Sequence, residues 1–150
     1  MSKNILRTNS HHSEYLKLIK LLDREISDKE GEQFEFYNQF NSSEHINEVV
    51  LIMHNSEALG CGAIKRFDTH SAEIKRMFTL PKSRGLGVAT LILTALEKWA
   101  SELGYSSCIL ETGRSYTEAL ALYEKHGFIT IKKYGPYIGN EDSVCLGKKL

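Results

Sequence analysis

The chain has 150 residues, a length that suits one domain with a single core and is too short for two ordinary domains. Its 19 Lys and Arg residues balance its 19 Asp and Glu residues, so no net charge attracts nucleic acid or an anionic membrane surface. A composition of 41% hydrophobic and 25% charged residues excludes a disordered chain.

The N-terminal part of the sequence predicts one clear helix. After a short apolar start at Ile5 and Leu6, apolar residues at helical spacing predict an amphipathic helix over 12–26, and the segment 27–31 ends it. The aromatic stretch 34–40 fits either a second short helix or an ordered loop.

A three-stranded meander is predicted next. The apolar, β-branched run 48–53 and the run 58–64 are separated by His54-Asn55-Ser56, which predicts a hairpin. Polar and apolar residues partly alternate over 72–80, and Pro81 follows, which cannot continue a ladder in a central strand. This segment is therefore the third strand.

The second half predicts two helices and three strands. Apolar residues three or four apart predict a helix over 86–103, Gly104 ends it, and an apolar strand over 107–112 follows directly. A strand, a helix and a strand in this order form the crossover between two parallel strands. The remaining elements are a helix over 117–126 and strands over 128–133 and 143–149. Together they predict a mixed α/β sheet.

The three cysteines are odd in number and widely spaced, which argues against a disulfide framework and against paired zinc ligands. Cys61, Cys108 and Cys145 are therefore predicted to be buried free thiols. No apolar run has the length of a signal peptide or of a membrane span, so we expect a cytoplasmic protein.

A glycine-bearing turn, residues 81–89, lies between the third strand and the long helix and reads Pro-Lys-Ser-Arg-Gly-Leu-Gly-Val-Ala. Glycine lets backbone N–H groups approach a ligand closely, and the first turn of a helix offers unpaired N–H donors and the positive end of its dipole. The turn therefore suits an anion such as a diphosphate, with Arg84 as a charged donor. The alternative is a helix entry whose glycines serve only the turn. A P-loop and a Rossmann fingerprint are excluded, because no Gly-Lys-Ser/Thr follows and position 90 is Thr.

This turn resembles the Arg/Gln-x-x-Gly-x-Gly/Ala signature of the GNAT acetyltransferase superfamily, through Arg84, Gly87 and Ala89. The segment 122–128, Leu-Tyr-Glu-Lys-His-Gly-Phe, resembles the Leu-Tyr-x-x-x-Gly-Phe motif of the same superfamily. The order of elements is similar over nearly the whole chain. The runs 60–63, 73–77, 110–113, 134–137 and 143–145 resemble an uncharacterised bacterial branch of the superfamily. The resemblance implies one domain over 1–150 with the acyl-CoA N-acyltransferase fold: a mostly antiparallel central sheet, one splayed parallel pair and flanking helices.

The resemblance also implies acetyl-CoA as cosubstrate, no metal, and residues that bind CoA. The backbone of Met77, Phe78 and Thr79 would pair with the pantetheine arm. The loop amides would hold the diphosphate, and they belong to Arg84, Gly85, Leu86, Gly87, Val88 and Ala89. The superfamily usually has Gln or Asn seven residues before the motif tyrosine, and this chain has Tyr116 at that cofactor-binding position.

Tyr123, the motif tyrosine, would donate a proton to the departing CoA thiolate. A phenol with a pKa near ~10 can donate to a thiolate whose acid has a pKa near ~8.5. The alternative for Tyr123 is a half-buried helix aromatic.

The amine must lose a proton before it attacks the thioester, so a carboxylate or a water chain is expected near it. Glu73 lies on the strand before the loop, where some GNAT branches carry a general base. Glu111 ends the crossover strand, where the sheet is expected to splay, and Glu73 is the preferred of the two. The alternative for both is a strand carboxylate that faces outward and pairs with Lys75 or Lys132.

The acceptor would be a small-molecule amine or an amine of a protein or peptide, acetylated by direct attack in a ternary complex. Asp23, Glu25 and Glu35 could line a pocket for a small cationic acceptor, although acidic residues on helices are usually solvated. A homodimer stays open. The rival functions are a non-catalytic CoA-binding module and a protein-interaction domain.

Overall fold

The computed structural model describes residues 2–31 and 45–150. Its α-helices are α1 (Ser13–Glu30), α2 (Val88–Glu102) and α3 (Thr117–Lys125). Its strands are β1 (Asn4–Thr8), β2 (Glu48–His54), β3 (Glu57–Arg66), β4 (Ser71–Thr79), β5 (Ser107–Gly113), β6 (Ile129–Thr130) and β7 (Ser143–Lys149). Single 3-10 turns cover Pro81–Ser83 and Gly135–Tyr137. The predicted stretch over 34–40 and Glu35 lie outside the described residues.

The chain divides into two compact units. The first unit comprises Met1–Lys65 and Lys75–Leu96, and the second unit comprises Arg66–Ile74 and Glu97–Leu150. Both units are interrupted in sequence, and β4 and α2 each run from one unit into the other.

In the first unit, four neighbouring strands are hydrogen-bonded in the order β1-β2-β3-β4. β1 and β2 are antiparallel, as are β2 and β3, with Leu51 facing Leu6 on one side and Cys61 on the other. Asn55 makes the tight turn between β2 and β3 with φ 57°, a left-handed conformation that asparagine tolerates. The predicted hairpin and third strand are confirmed.

The core of the first unit joins α1 to the strands. α1 buries Tyr15, Leu18 and Leu22 in a cluster with strand residues. The strand members of that cluster are Val49, Leu51, Ala58, Cys61, Ala63 and Phe78. Apolar residues of α1 thus pack on one face of the sheet.

Two predicted helix boundaries are wrong by a few residues. α1 continues through Glu30 and ends at Gly31, whose φ of 56° and N–H bond to the Ser27 carbonyl cap the helix. Residues 27–29 are exposed and include no helix breaker, so the loss of apolar periodicity did not mark the end. α2 begins at Val88 and not at residue 86, because Gly85 and Gly87 both have φ 79°.

The second unit contains the parallel pair. The first residues of β4 pair with β5 in parallel, in the register Ser71↔Ser107 to Glu73↔Ile109. β5 pairs with β7 in antiparallel orientation along its whole length, and β6 pairs with β7. The predicted crossover and the mixed α/β sheet are confirmed.

Strand β6 is shorter than predicted. The sequence predicted a strand over 128–133, but the ladder with β7 covers Ile129 and Thr130. Phe128 is instead buried against Tyr123 at the end of α3. Periodicity alone does not separate a paired strand residue from one that is buried just before the strand.

Cys61, Cys108 and Cys145 are free and buried, which confirms that prediction. Across residues 2–31 and 45–150, the helices are all too short or too polar to cross a membrane.

Candidate active site

The loop between β4 and α2 has the backbone that its sequence predicts. Gly85 and Gly87 both adopt the left-handed conformation, which a residue with a side chain rarely accepts. A Cβ added at either glycine would meet no atom within 4 Å, so both border open space. The Gly87 carbonyl accepts the N–H of Leu91, so the first N–H groups of α2 point back toward this loop.

Lys3 and Arg84 both contact backbone carbonyls at the loop. Lys3 donates from Nζ to the Leu86 carbonyl at 2.9 Å. Arg84 donates from Nε to the Thr79 carbonyl at 3.1 Å, and its guanidinium lies 5.7 Å from the centroid of the Phe78 ring. Lys3 was missed by sequence reasoning, because 83 residues separate it from its partner.

The Arg84 guanidinium also forms an ion pair with Glu25 of α1. Nη2 of Arg84 lies 2.9 Å from Oε2 and 3.2 Å from Oε1 of Glu25. Both side chains are 44% exposed, so water can reach the pair. Glu25 was suggested for an acceptor pocket, and in the structure its carboxylate pairs with the arginine of the loop.

Arg76 is a buried charge in the middle of β4 that sequence reasoning missed. Its Nη2 lies 2.8 Å from Oδ1 of Asp23, so the second proposed pocket carboxylate is also engaged in an ion pair. Its φ of 60° is left-handed, and its carbonyl accepts from the Cys61 thiol at 3.3 Å. The signal was present in the sequence, because Arg76 occupies the buried phase of a strand whose other inward residues are apolar.

Burial of Tyr15 raises its pKa to about 12, although the neighbouring Arg76 charge opposes the rise. The phenol therefore stays protonated beside the guanidinium. Arg76, Asp23 and Tyr15 form a polar contact between α1 and β4 inside the first unit.

A shallow groove of about 480 Å³ lies on the first unit. Its lining residues are Leu21, Arg24, Glu25, Asp28, Lys29, Phe78 and Pro81. The floor is apolar and the α1 side carries charges of both signs. Glu25 thus belongs both to this groove and to the ion pair with Arg84.

The predicted pantetheine strand, Met77 to Thr79, is the last part of β4. The Phe78 side chain is buried in the core of the first unit, and the Met77 and Thr79 side chains are half-buried. The register of β4 with β5 ends at Glu73, so Met77 to Thr79 lie beyond that pairing.

Glu73 belongs to the second unit and accepts a hydrogen bond from the Tyr134 hydroxyl at 2.7 Å. Burial, and then the neighbouring Glu73 charge, raise the pKa of Tyr134 well above its usual range. Tyr134 therefore keeps its proton and donates to the carboxylate. The sequence offered no signal for this contact, which joins residues 61 positions apart.

Glu111 accepts a hydrogen bond from Oγ of Ser143 at 2.7 Å. Glu73 faces Ile109 across the parallel pair, and Glu111 lies two residues further along β5. Because side chains two apart share a face of a sheet, the two carboxylates lie on the same face. The structure thus brings both candidate bases together within the second unit.

Tyr123 is buried on α3, with 6% of its surface exposed. Its ring meets Phe128 edge to face with centroids 5.8 Å apart. Burial, followed by the nearby Glu111 charge, raises the pKa of the phenol above its usual range. Tyr123 is therefore protonated at neutral pH. Tyr116 caps the same helix, and its carbonyl accepts the Leu120 N–H at 3.0 Å.

The predicted site residues fall into two sets. Met77 to Thr79 and the loop 84–89 belong to the first unit. Glu73, Glu111, Tyr116 and Tyr123 belong to the second. Within the described ranges, no group of three or more His, Cys, Asp or Glu residues is arranged to hold a metal ion.

Sequence comparison relates this chain to known proteins. The model of the Acetyltransferase (GNAT) family matches residues 14–128. The uncharacterized N-acetyltransferase YsnE of Bacillus subtilis (strain 168) is 38% identical over 96 residues, which are 63% of this chain and 64% of that protein. The chain thus spans just under two thirds of the length of this curated relative.

Solved structures share the fold. A candidate acyl-CoA N-acyltransferase from Klebsiella pneumoniae subsp. pneumoniae is similar with a TM-score of 0.82 at 27% identity, over 99% of this chain and 97% of its own. A GNAT family acetyltransferase from Elizabethkingia anophelis, solved with acetyl-CoA bound, has a TM-score of 0.71 at 22% identity, over 99% and 98% of the two chains. The predicted fold is confirmed over nearly the whole chain.

Proposed function

Because this chain belongs to the GNAT family of acetyltransferases, we propose that it transfers an acetyl group from acetyl-CoA to a primary amine. The observation that carries the proposal is the loop at the start of α2. Two left-handed glycines bordering open space, the first N–H groups of a helix and Arg84 are together suited to a diphosphate. The Elizabethkingia protein that shares the fold has acetyl-CoA bound, which supports the same ligand here.

Different residues are assigned to different parts of the CoA molecule. The amides of residues 84–89 bind the diphosphate, and Arg84 adds a charged hydrogen bond to it. The backbone of Met77 to Thr79 pairs with the amides of the pantetheine arm, which its position beyond the β5 pairing supports. Tyr116 lies at the start of α3, about two turns before Tyr123, and would contact CoA from there.

The proposed mechanism uses one proton acceptor and one proton donor from the chain. Glu73 or Glu111 takes a proton from the ammonium group, and the neutral nitrogen attacks the thioester carbonyl. The C–N bond forms, the C–S bond breaks, and Tyr123 gives its proton to the departing thiolate. Because burial raises the pKa of Tyr123, the phenol is protonated at neutral pH and can donate a hydrogen bond, and then its proton, to the sulfur as the C–S bond breaks.

Glu73 is the first choice for the base, and Glu111 is the second. Each carboxylate accepts a hydrogen bond from a hydroxyl group, Glu73 from Tyr134 and Glu111 from Ser143. The acceptor is a small molecule or a protein or peptide amine. A single domain, a cytoplasmic location and a homodimer stay predictions.

The test is an amine panel followed by release of free CoA thiol, with alkylamines, polyamines, amino acid amides and lysine peptides as acceptors. We expect turnover with at least one class. Tyr123→Phe should lower kcat by about 10²-fold, the usual scale for loss of a general acid, and leave the acetyl-CoA KM within about twofold.

Calorimetry with CoA separates the rival functions. CoA binding without turnover on any amine would favour the non-catalytic CoA-binding module, and a folded protein that binds no CoA would favour a protein-interaction domain. Full turnover in Tyr123→Phe would remove Tyr123 from the mechanism.

A further inference from the structure

We propose that Tyr134 is a positioning residue that holds the Glu73 carboxylate in place to accept the proton of the amine. The inference rests on the proposed function and names a residue that neither motif of the sequence contains. All the contacts that carry it lie within the second unit.

The hydrogen bond fixes one oxygen of the carboxylate. The Tyr134 hydroxyl donates to Oε2 of Glu73 at 2.7 Å, in a part-buried setting. A glutamate side chain has several rotatable bonds and loses entropy when it is ordered. A fixed donor on Oε2 orders the side chain before the amine arrives and leaves Oε1 to accept a proton.

The tyrosine ring is itself held on two sides. Phe67 meets it edge to face with centroids 4.9 Å apart, and Tyr137 does so at 5.7 Å. Tyr137 is buried with 3% exposed surface, and its N–H donates to the Tyr134 carbonyl at 3.0 Å in the turn before β7. The donor on Glu73 is therefore anchored by both its ring and its backbone.

Tyr134 donates without taking part in the proton transfer. Its neighbours are Glu73, Cys145 and Tyr137, all of which add to the effect of burial in keeping the phenol protonated. The charges of Glu111 and Lys133 also affect the pKa of the Cys145 thiol, in opposite directions, so both groups lie near Tyr134 as well. A phenol that keeps its proton cannot accept one from an ammonium group, whereas the carboxylate beside it can.

Ser143 gives a matched comparison in the same unit. It donates to Glu111 at the same distance of 2.7 Å, and it is buried with 1% exposed surface. If Glu73 is the base, removing the donor of Glu73 and removing the donor of Glu111 should have different effects on turnover.

The test is a kinetic double-mutant cycle with Tyr134→Phe, Glu73→Gln and the double variant, using the most reactive amine of the panel. Tyr134→Phe should lower kcat/KM for the amine by about tenfold and leave the acetyl-CoA KM unchanged, because the carboxylate is still present but less ordered. Glu73→Gln should lower kcat/KM for the amine by about 10²-fold or more. The double variant should equal Glu73→Gln, because Tyr134 acts through Glu73.

Three results would overturn the proposal: wild-type kcat/KM in Tyr134→Phe, losses that multiply in the double variant, or an equal loss in Ser143→Ala. Thermal melting of each variant checks that it is folded. Wild-type turnover in Glu73→Gln would refute Glu73 as the base and this inference, while acetyl transfer by the chain would stand.

A measurement without substrates covers the case in which no amine reacts. The Tyr134 hydroxyl proton should give a slowly exchanging NMR signal in the native protein that Glu73→Ala removes, because alanine has no acceptor for it. Its absence in the native protein would refute the contact independently of turnover.

Discussion

Arg84 is already paired with an anion at the place where the diphosphate is proposed to bind. Its guanidinium donates two hydrogen bonds to the Glu25 carboxylate and one to the Thr79 carbonyl. A carboxylate and a phosphate compete for the same planar donors. Glu25 is therefore expected to oppose CoA binding at this loop, both by occupying Arg84 and by its own negative charge.

We expect Glu25→Gln to bind CoA about threefold more tightly at low salt, in line with the small free energy of an exposed ion pair. Calorimetry at two salt concentrations measures it, and the gain should shrink at high salt because the pair is open to water. Glu57→Gln is the control, since Glu57 pairs at 2.8 Å with Lys82, close to Arg84 in sequence. Weaker binding in Glu25→Gln, or an equal gain in both variants, would refute the competition.

The sequence predicted the residues that carry motifs and missed those that act through distant partners. Arg84 and Tyr123 followed from local patterns, and Glu73 and Glu111 followed from their places on strands. Tyr134 had no such signal, because a hydroxyl reaches a carboxylate 61 residues away only once the sheet is built. The functional roles of all five residues stay predictions.

At the scale of elements, two glycines of β3 let α2 lie close to the sheet. A Cβ on Gly62 would stand 2.6 Å from Cγ2 of Ile92, and one on Gly60 would stand 2.7 Å from Cγ1 of Val88. Val88 is the first residue of α2, directly after the loop. The small residues of β3 therefore set the position of the helix start that is proposed to bind CoA.

We expect Gly60→Ala to lower the free energy of unfolding by about 1–3 kcal/mol, the usual cost of overpacking a core. The added Cβ would also lie 2.9 Å from the Phe78 carbonyl, which is backbone and cannot turn aside. Displacement of Val88 should weaken CoA binding as well. Urea unfolding and calorimetry measure the two effects.

Gly147→Ala is the matched control in a strand of the second unit, where the nearest atom to an added Cβ is Cγ2 of Ile131 at 3.2 Å. It should cost less stability and leave CoA affinity unchanged. Equal stability of Gly60→Ala and the wild type would contradict the close approach.

Within residues 2–31 and 45–150, the order and type of the predicted elements were confirmed, and their ends were less accurate. Hydrophobic periodicity identified α1, yet the polar turn 27–30 continued the helix until Gly31 supplied a left-handed cap. The glycines at 85 and 87 delayed the start of α2. Ends depend on caps and backbone conformation, which an apolar pattern does not encode.

At the scale of the whole molecule, stability should depend on pH in the alkaline range. Burial raises the pKa of Cys61 and that of Cys108 to about 12 each. In the unfolded chain a thiol ionises near pH ~8.5. Ionisation above that pH therefore favours the unfolded state, so the contribution of each neutral thiol is complete below about pH 8.5 and is lost as the pH rises toward 12.

We expect the free energy of unfolding to fall between pH 9 and pH 11 by up to about 1.4 kcal/mol per pH unit for each buried thiol. Urea unfolding across this range measures the slope. Cys61→Ala should be less stable at pH 8 but lose stability less steeply above pH 9. A slope that is identical in the variant would show that Cys61 does not contribute.

The family model matches residues 14–128, most of which the structure describes. The fold was predictable because two local sequence motifs, one at the start of α2 and one at the end of α3, both match that family. The acceptor was not predictable, since Asp23 and Glu25, the two described carboxylates suggested for it, serve ion pairs with Arg76 and Arg84. Single-domain organisation stays a prediction.

The seclusion of every cysteine in the chain has a practical consequence for spectroscopy. With Cys61, Cys108 and Cys145 all enclosed, a maleimide dye finds no ready native target. A cysteine introduced at the exposed Asp28, on the rim of the groove, would carry the label alone. The emission of that dye could then report on groove occupancy without first removing any native sulfur.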